Sequence, residues 1–219
     1  AIGAGWNRVE YEAIGVPFEP TPVRQARLTE AIAVLKGCFG PGPFTFAGDH
    51  YTVTDYDAHP KPIQRPHPPF LIGGGGRRTL ELAAREAAIV GFAPRIRPGG
   101  APDPGSITFE GTREKVRWVR EAAGDRFADL ELNVYPSMTG ISITDRPLAE
   151  AGEVADRLEA RSGVRVSAEE LLDSPHIYIG TEDDFVAKFG RLRDELGITS
   201  IMVGAVGELD RVVERLAGT

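Results

Sequence analysis

The chain has 219 residues and a single cysteine, Cys38, so no disulfide can close within it and a reducing compartment, the cytoplasm, is the expected setting. No apolar run approaches the ~20 residues that span a bilayer. The chain opens on Ala1-Ile2-Gly3 rather than on a basic leader, so neither a membrane span nor a secretory signal is expected. Positive charge is in deficit, with 25 Lys and Arg against 32 Asp and Glu and a net charge of −7. A general nucleic-acid binder needs a basic face, and this balance argues against one. Histidine is scarce too. His50, His59, His67 and His176 lack the spacing of metal ligands, and with one cysteine no metal site is expected. Neither low-complexity segments nor internal repeats occur.

The remainder is the composition of an ordinary globular protein, 42% hydrophobic and 26% charged with a mean hydropathy of −0.18. The most informative stretch is Phe70-Leu71-Ile72, followed by Gly73, Gly74, Gly75 and Gly76 and then by Arg77-Arg78-Thr79-Leu80. It reads as an apolar strand, a bare turn and a helix start. Glycine backbone can approach a ligand closely and can take positive φ. The first N–H groups of a helix have no partner inside it and carry the positive end of its dipole. Together these make a seat for an anion, usually a phosphate. Arg77 and Arg78 add two charges able to close over it. The run is not a Walker loop, because the Lys-Ser/Thr pair is missing, and its spacing is not that of a dinucleotide fingerprint.

Along the chain, residues 1–5 read as the end of a strand, followed by a turn bearing Trp6 and Asn7. Leu28, Ala31, Ile32, Leu35 and Phe39 recur at helical spacing and predict a helix over about 22–39. The segments at 44–46 and 51–54 predict a hairpin, and the prolines of residues 60–69 an extended return. A regular alternation then begins. Helix 77–87 carries Leu80, Ala83, Ala84 and Ala87 on one face. Strands are expected at 88–92, 130–135 and 199–203, and helices behind Thr112, behind Thr181 and over about 208–217. Thr112 is read as a helix cap, as is Thr181 with Asp184 in a variant capping box. Residues 147–172 look like an inserted helical pair broken at Gly163. Strands alternating with helices imply a parallel sheet, and an α/β fold in one domain, 1–219.

Several stretches together resemble the luciferase-like monooxygenase family in its coenzyme F420 branch. They are Gly3-Ala4-Gly5-Trp6 with Glu10-Tyr11-Glu12-Ala13, Gly48-Asp49-His50-Tyr51, the run from Pro60 to Pro69, and the glycine run. Leu82-Ala83-Ala84-Arg85-Glu86-Ala87, Trp118-Val119-Arg120-Glu121-Ala122-Ala123-Gly124 and Ile179-Gly180-Thr181 continue the likeness. The resemblance implies a (β/α)8 TIM barrel with a flavin or deazaflavin at the C-terminal ends of its strands and its phosphate on Gly73, Gly74, Gly75, Gly76, Arg77 and Arg78. It also implies that the Gly-Ala-Gly-Trp segment closes about the fourth strand, so that the chain holds about the second half of a barrel. Segments 40–69 and 147–172 are then insertions, and the missing N-terminal half is a candidate partner. Family members commonly form dimers, so a homodimer is expected.

Among single residues, Trp6 is a candidate for stacking on the cofactor ring or for covering the core rim. Glu10 and Glu12 read as surface ion-pair or capping residues, and His67 as loop packing. Arg95 and Arg97 either meet an anion or stand solvated. Asn133 and Tyr135 are expected to point into the barrel lumen. No acid or base is assigned. The reading is an oxidoreductase that moves a hydride between coenzyme F420, or alternatively FMN, and a small organic substrate. An FMN-dependent monooxygenase and a non-catalytic flavin binder are the alternatives.

Overall fold

A computed structural model of the chain describes residues 1–97, 100–137, 139–202 and 213–215. Helix α1 (Arg8–Ala13) is capped by Asn7, whose side-chain oxygen accepts from the Val9 N–H at 3.2 Å. Helix α2 (Thr21–Phe39) follows, with Leu28 and Ile32 buried as their spacing predicts. Strands β1 (Phe44–Ala47) and β2 (Thr52–Tyr56) pair as the expected antiparallel hairpin. Glu30 of α2 ties the hairpin turn down, accepting from the N–H groups of Asp49, His50 and Tyr51 at 2.9–3.0 Å.

The centre of the molecule is a parallel sheet in the order β3 (Leu71–Gly74), β4 (Ile89–Phe92), β5 (Glu131–Val134) and β8 (Ile198–Ile201). Ile2 extends it beyond β3 through a parallel bridge to Ile72. Helices α3 (Arg77–Glu86) and α4 (Phe109–Ala123) connect these strands and cover one face. Leu80, Ala83, Ala84 and Ala87 are fully buried. Small side chains let α3 lie close to the sheet, while Leu80 contributes on the order of 2 kcal/mol by its burial. The Arg126 guanidinium closes the helix by donating to the carbonyls of Ala84 and Ala87. Along each strand, Ile72, Val90, Leu132 and Val134 meet the helices in one core, and the residues between them face the other way.

Between β5 and β8 the chain makes an excursion. Strands β6 (Ile141–Ile143) and β7 (Tyr178–Gly180) pair in parallel, joined by α5 (Pro147–Ser162) and α6 (Ala168–Asp173), with Gly163 left-handed between the two helices. Helix α7 (Glu182–Leu196) then leads to β8. Its capping box of Thr181 and Asp184 forms as read, and Gly197 ends it with φ +70°.

Two expectations are corrected. Thr112 is not a cap. Thr108 is, accepting from the Gly111 N–H at 3.0 Å, while the Thr112 hydroxyl donates back to the Thr108 carbonyl at 3.1 Å from inside the helix. Strand β3 does not stop at Ile72 but runs through Gly73 and Gly74, held in register with Gly91 and Phe92. Val203 and all but residues 213–215 of the expected last helix lie outside the described residues.

Candidate functional site

The glycine run divides by what each residue must avoid. Among Gly73, Gly74, Gly75 and Gly76 none has positive φ, so conformational freedom does not explain them. Close approach does. A Cβ on Gly74 would stand 2.6 Å from Thr79 Cγ2, and one on Gly75 would collide with the Pro94 carbonyl. Gly76 is different. It is the N-cap of α3, in extended conformation, and a Cβ there would meet nothing within 4 Å. No side chain caps this helix start. The leading N–H groups of α3 are therefore left to an outside acceptor. The first intrahelical bond runs from the Leu80 N–H to the Gly76 carbonyl at 3.1 Å.

The two arginines separate. Arg77 turns along its own helix to Glu81 at 2.7 Å and toward Glu121 at 3.6 Å, and the Glu81 hydrogen bond holds its pKa up. Arg78 is exposed and makes no ion pair among the described residues. The positive charge free to meet an anion at this turn is thus that of Arg78.

Beside the turn, residues 93–97 and 100–107 lie against one another. Asp103 accepts from Arg95 Nε at 2.8 Å and Arg97 Nη2 at 3.1 Å, and its N–H donates to the Arg95 carbonyl at 2.7 Å. The two guanidinium groups hold the Asp103 carboxyl below its usual range against the opposing effect of burial, the largest single influence on it. Arg95 and Arg97 are therefore tied to a carboxylate rather than simply solvated. Trp6 is 63% exposed on the rim beyond Ile2. The turn before it is fixed by Arg24, which donates to the carbonyls of Ala4 and Gly5 and lies 4.1 Å over the Phe18 ring. Glu10 accepts from the capping Asn7 at 2.9 Å and Glu12 lies 3.6 Å from Arg8, both surface roles as read. His67 stacks on Phe70 at 4.6 Å.

Lys115 and His176, both buried, and the half-buried Lys188 had no role in the sequence reading. Lys115 Nζ donates to the carbonyls of Ala93 at 2.7 Å and Ser106 at 2.6 Å, and burial pulls its pKa down to about 7. Lys188 Nζ donates to the carbonyls of Ile177 at 2.6 Å and Ser174 at 3.2 Å, with burial lowering it to about 8. His176 is wholly buried, its Nδ1 3.2 Å from Ser137 Oγ, and burial holds its pKa well below 6.5. The signal was present. Thr112, Lys115, Val116 and Val119, and likewise Phe185, Lys188, Phe189 and Leu192, put each lysine inside an apolar stripe at helical spacing.

Among the described residues no cluster of His, Cys, Asp and Glu could hold a metal ion, and no helix is long and apolar enough to cross a membrane. A cavity of about 300 Å³ lined by Phe109, Leu172, Phe185 and Lys188 includes none of the glycine-turn residues.

The model of the luciferase-like monooxygenase family matches residues 1–218. The chain belongs to that family. Its α/β architecture is that of the luciferase-like TIM barrel, whose consecutive parallel strands β3, β4, β5 and β8 represent. It is similar to the FMNH2-dependent dimethylsulfone monooxygenase of Pseudomonas putida, 42% identical over 84 residues, or 38% of this chain and 23% of that protein. It is also similar to the F420-dependent glucose-6-phosphate dehydrogenase of Kineococcus radiotolerans, 34% identical over 84 residues, 38% of this chain and 24% of that protein. These matches span about a quarter of the relatives' length. Among solved structures, the coenzyme F420-dependent tetrahydromethanopterin reductase of Methanopyrus kandleri superposes with a TM-score of 0.66 at 16% identity, over 98% of this chain and 70% of that one. An F420-dependent secondary alcohol dehydrogenase bound to an F420-acetone adduct gives 0.64 at 19% identity, over 92% and 62%. Luciferase-like relatives thus include both F420-dependent and FMN-dependent oxidoreductases.

Proposed function

We propose that the chain is an oxidoreductase of the luciferase-like type that seats the phosphate of coenzyme F420, or alternatively of FMN, on the turn at residues 75–78. The observation that carries this is the start of α3, where Gly76 is open, no side chain caps the helix and Arg78 is unpaired among the described residues. The N–H groups of Arg77, Arg78 and Thr79 would bind the phosphate oxygens, with Arg78 adding charge. Gly75 brings the loop at Pro94 against the turn, so that the two βα connections present one rim. Trp6, exposed four residues beyond Ile2, would shield a bound ring from water. When bound, the cofactor supplies the hydride chemistry and the chain supplies orientation and exclusion of solvent. A small organic substrate and assembly as a homodimer belong to the same reading.

An FMN-dependent monooxygenase is the second reading, favoured by the 42% identity to the dimethylsulfone enzyme.

A fluorescence titration with coenzyme F420 and, separately, with FMN tests both. The discriminating variant is Gly76→Asp. A carboxylate at an N-cap suits the helix and leaves folding stability within a few tenths of a kcal/mol of glycine, but it occupies the seat and repels phosphate. Saturable binding of one cofactor, weakened at least about tenfold in Gly76→Asp, is the expected result, and the cofactor bound names the branch. Binding of neither would sink the reading, as would binding that Gly76→Asp leaves unchanged.

A further inference from the structure

The face of the sheet turned away from α3 and α4 is laid out in rows. Register sets Gly73 beside Gly91, Gly91 beside Asn133, and Asn133 beside Ser200. The bridge from Ile2 to Ile72 brings Gly3 to the outer side of Gly73. A Cβ on Gly3 would meet only the Gly73 carbonyl at 3.6 Å, and one on Gly73 only the Gly91 carbonyl at 3.8 Å, so these two are bare backbone, whereas Gly91 is buried and a Cβ there would stand 3.3 Å from Leu71 Cδ2. Strands lie about 4.8 Å apart, so Gly3 and Gly73 floor an open strip about 5 Å wide, and Gly91 separates it from Asn133. The strip lies one residue short of the C-terminal end of β3, just before the turn at Gly75 and Gly76.

Asn133 stands further along the row. It is 4% exposed, and its Nδ2 donates to Ser200 Oγ at 2.9 Å. Its Oδ1 is buried without a partner among the described residues. A buried amide end with no hydrogen bond costs stability unless something else supplies the bond, so its retention needs a reason. The surroundings limit what that something can be. Strands β3, β4, β5 and β8 contain no Lys, Arg or His, and Glu131, their one charged residue, is exposed at the far end of β5. Above the sheet, Arg95 and Arg97 are tied to Asp103, and Lys115 is occupied by two carbonyls.

We propose that Asn133 is the substrate's hydrogen-bonding partner, and that the substrate is a small neutral molecule with a polar oxygen, an alcohol, ketone or sulfone, rather than an anionic one such as a phosphorylated sugar. This rests on the phosphate seat above, because Asn133 shares its row with the glycines that lead into that turn. The carboxamide serves either polarity. Its oxygen accepts from a hydroxyl. With the amide reversed and the Ser200 hydroxyl donating instead, its N–H groups reach a ketone or sulfone oxygen. Ser200 is the positioning residue that fixes the amide plane.

The side-chain NH2 pair of Asn133, assigned in 15N-labelled protein by its loss in Asn133→Leu, reports binding directly. Cofactor is titrated first, and failure there overturns the phosphate seat while leaving the amide measurable in the cofactor-free chain. Dimethyl sulfone, propan-2-ol and glucose 6-phosphate are then added separately. The expected result is a saturable shift of the Asn133 pair with a neutral probe and none with glucose 6-phosphate. Asn133→Leu should weaken the neutral probe about tenfold, and Ser200→Ala should weaken it less. Ser200→Ala keeps the test open should the leucine variant fail to fold. A shift with glucose 6-phosphate, no shift with any probe, or unchanged binding of the neutral probe by both variants overturns the proposal.

Discussion

The sheet and the excursion between β5 and β8 are held to their surroundings by different physics. Against the sheet, α3 presents Leu80, Ala83 and Ala84, all of them hydrocarbon. The excursion has apolar contacts of its own around Leu158, Leu171 and Ile177, but it and the neighbouring loop before α4 are also tied down by basic groups drawn out of water. Lys115 holds the ends of the loop at residues 93–107, Lys188 holds the turn at residues 174–177, and His176 meets Ser137 and the Tyr135 carbonyl. Each lysine donates to two carbonyls, which a neutral amine does with its two N–H groups. A core closed by hydrocarbon is indifferent to pH, whereas one closed by a buried amine is not.

The largest expected effect lies on the sheet side. Leu80→Ala should cost about 3 kcal/mol of stability by cavity formation, and urea unfolding at pH 6 and pH 9 should give the same loss. An effect that varies strongly with pH would show that α3 is not the indifferent element described.

The excursion and the loop before α4 should respond to pH instead. Burial pulls the amines of Lys115, to about 7, and Lys188, to about 8, below the ordinary lysine value of 10.5. Between these limits the unfolded chain binds more protons, so stability rises as pH increases from about 7 toward 10. His176, held well below 6.5, extends the loss of stability below pH 6.5 as acid charges the unfolded imidazole first. Lys115→Met should cost about 2 kcal/mol at pH 9, where the amine is neutral and bonded, and should flatten the slope above pH 7. A slope unchanged by that substitution would remove Lys115 from the account.

A smaller effect is expected where the two regions meet. Gly75→Ala must displace the Pro94–Arg95 peptide and should cost on the order of 1–2 kcal/mol, whereas Gly76→Ala, with open space around it, should stay within about 0.5 kcal/mol. Equal costs would contradict the division of the glycine run. Smallest of all, Glu30→Gln should leave global unfolding nearly unchanged while speeding hydrogen exchange at the amides of Asp49, His50 and Tyr51, which its carboxylate now accepts.

What the sequence made legible was local. The stripe Leu80, Ala83, Ala84, Ala87 and the box of Thr181 and Asp184 follow from spacing and cap chemistry, and both form as read. Thr112 misled because two threonines four residues apart carry the same signal, and the helix starts from the earlier one. The extension of β3 through Gly73 and Gly74 depends on pairing with β4, a contact that no single strand encodes. For the candidate site, the turn was legible but its division of labour was not. Arg77 is drawn off by Glu81, a helical neighbour four residues on that could have been noticed, and Glu121, which could not. The pairing of Asn133 with Ser200 joins residues 67 apart and needs the fold.

The Asp103 carboxylate holds two guanidinium groups at once. Remove its charge, as in Asp103→Asn, and Arg95 and Arg97 become neighbouring cations with no counterion of their own, on the rim beside the glycine turn. The quickest relief for such a pair is an anion from solution. One substitution away from the rim as it stands thus lies a surface that invites phosphates and sulfonates. Relatives that differ at the position of Asp103 are where a change of substrate charge should first be sought.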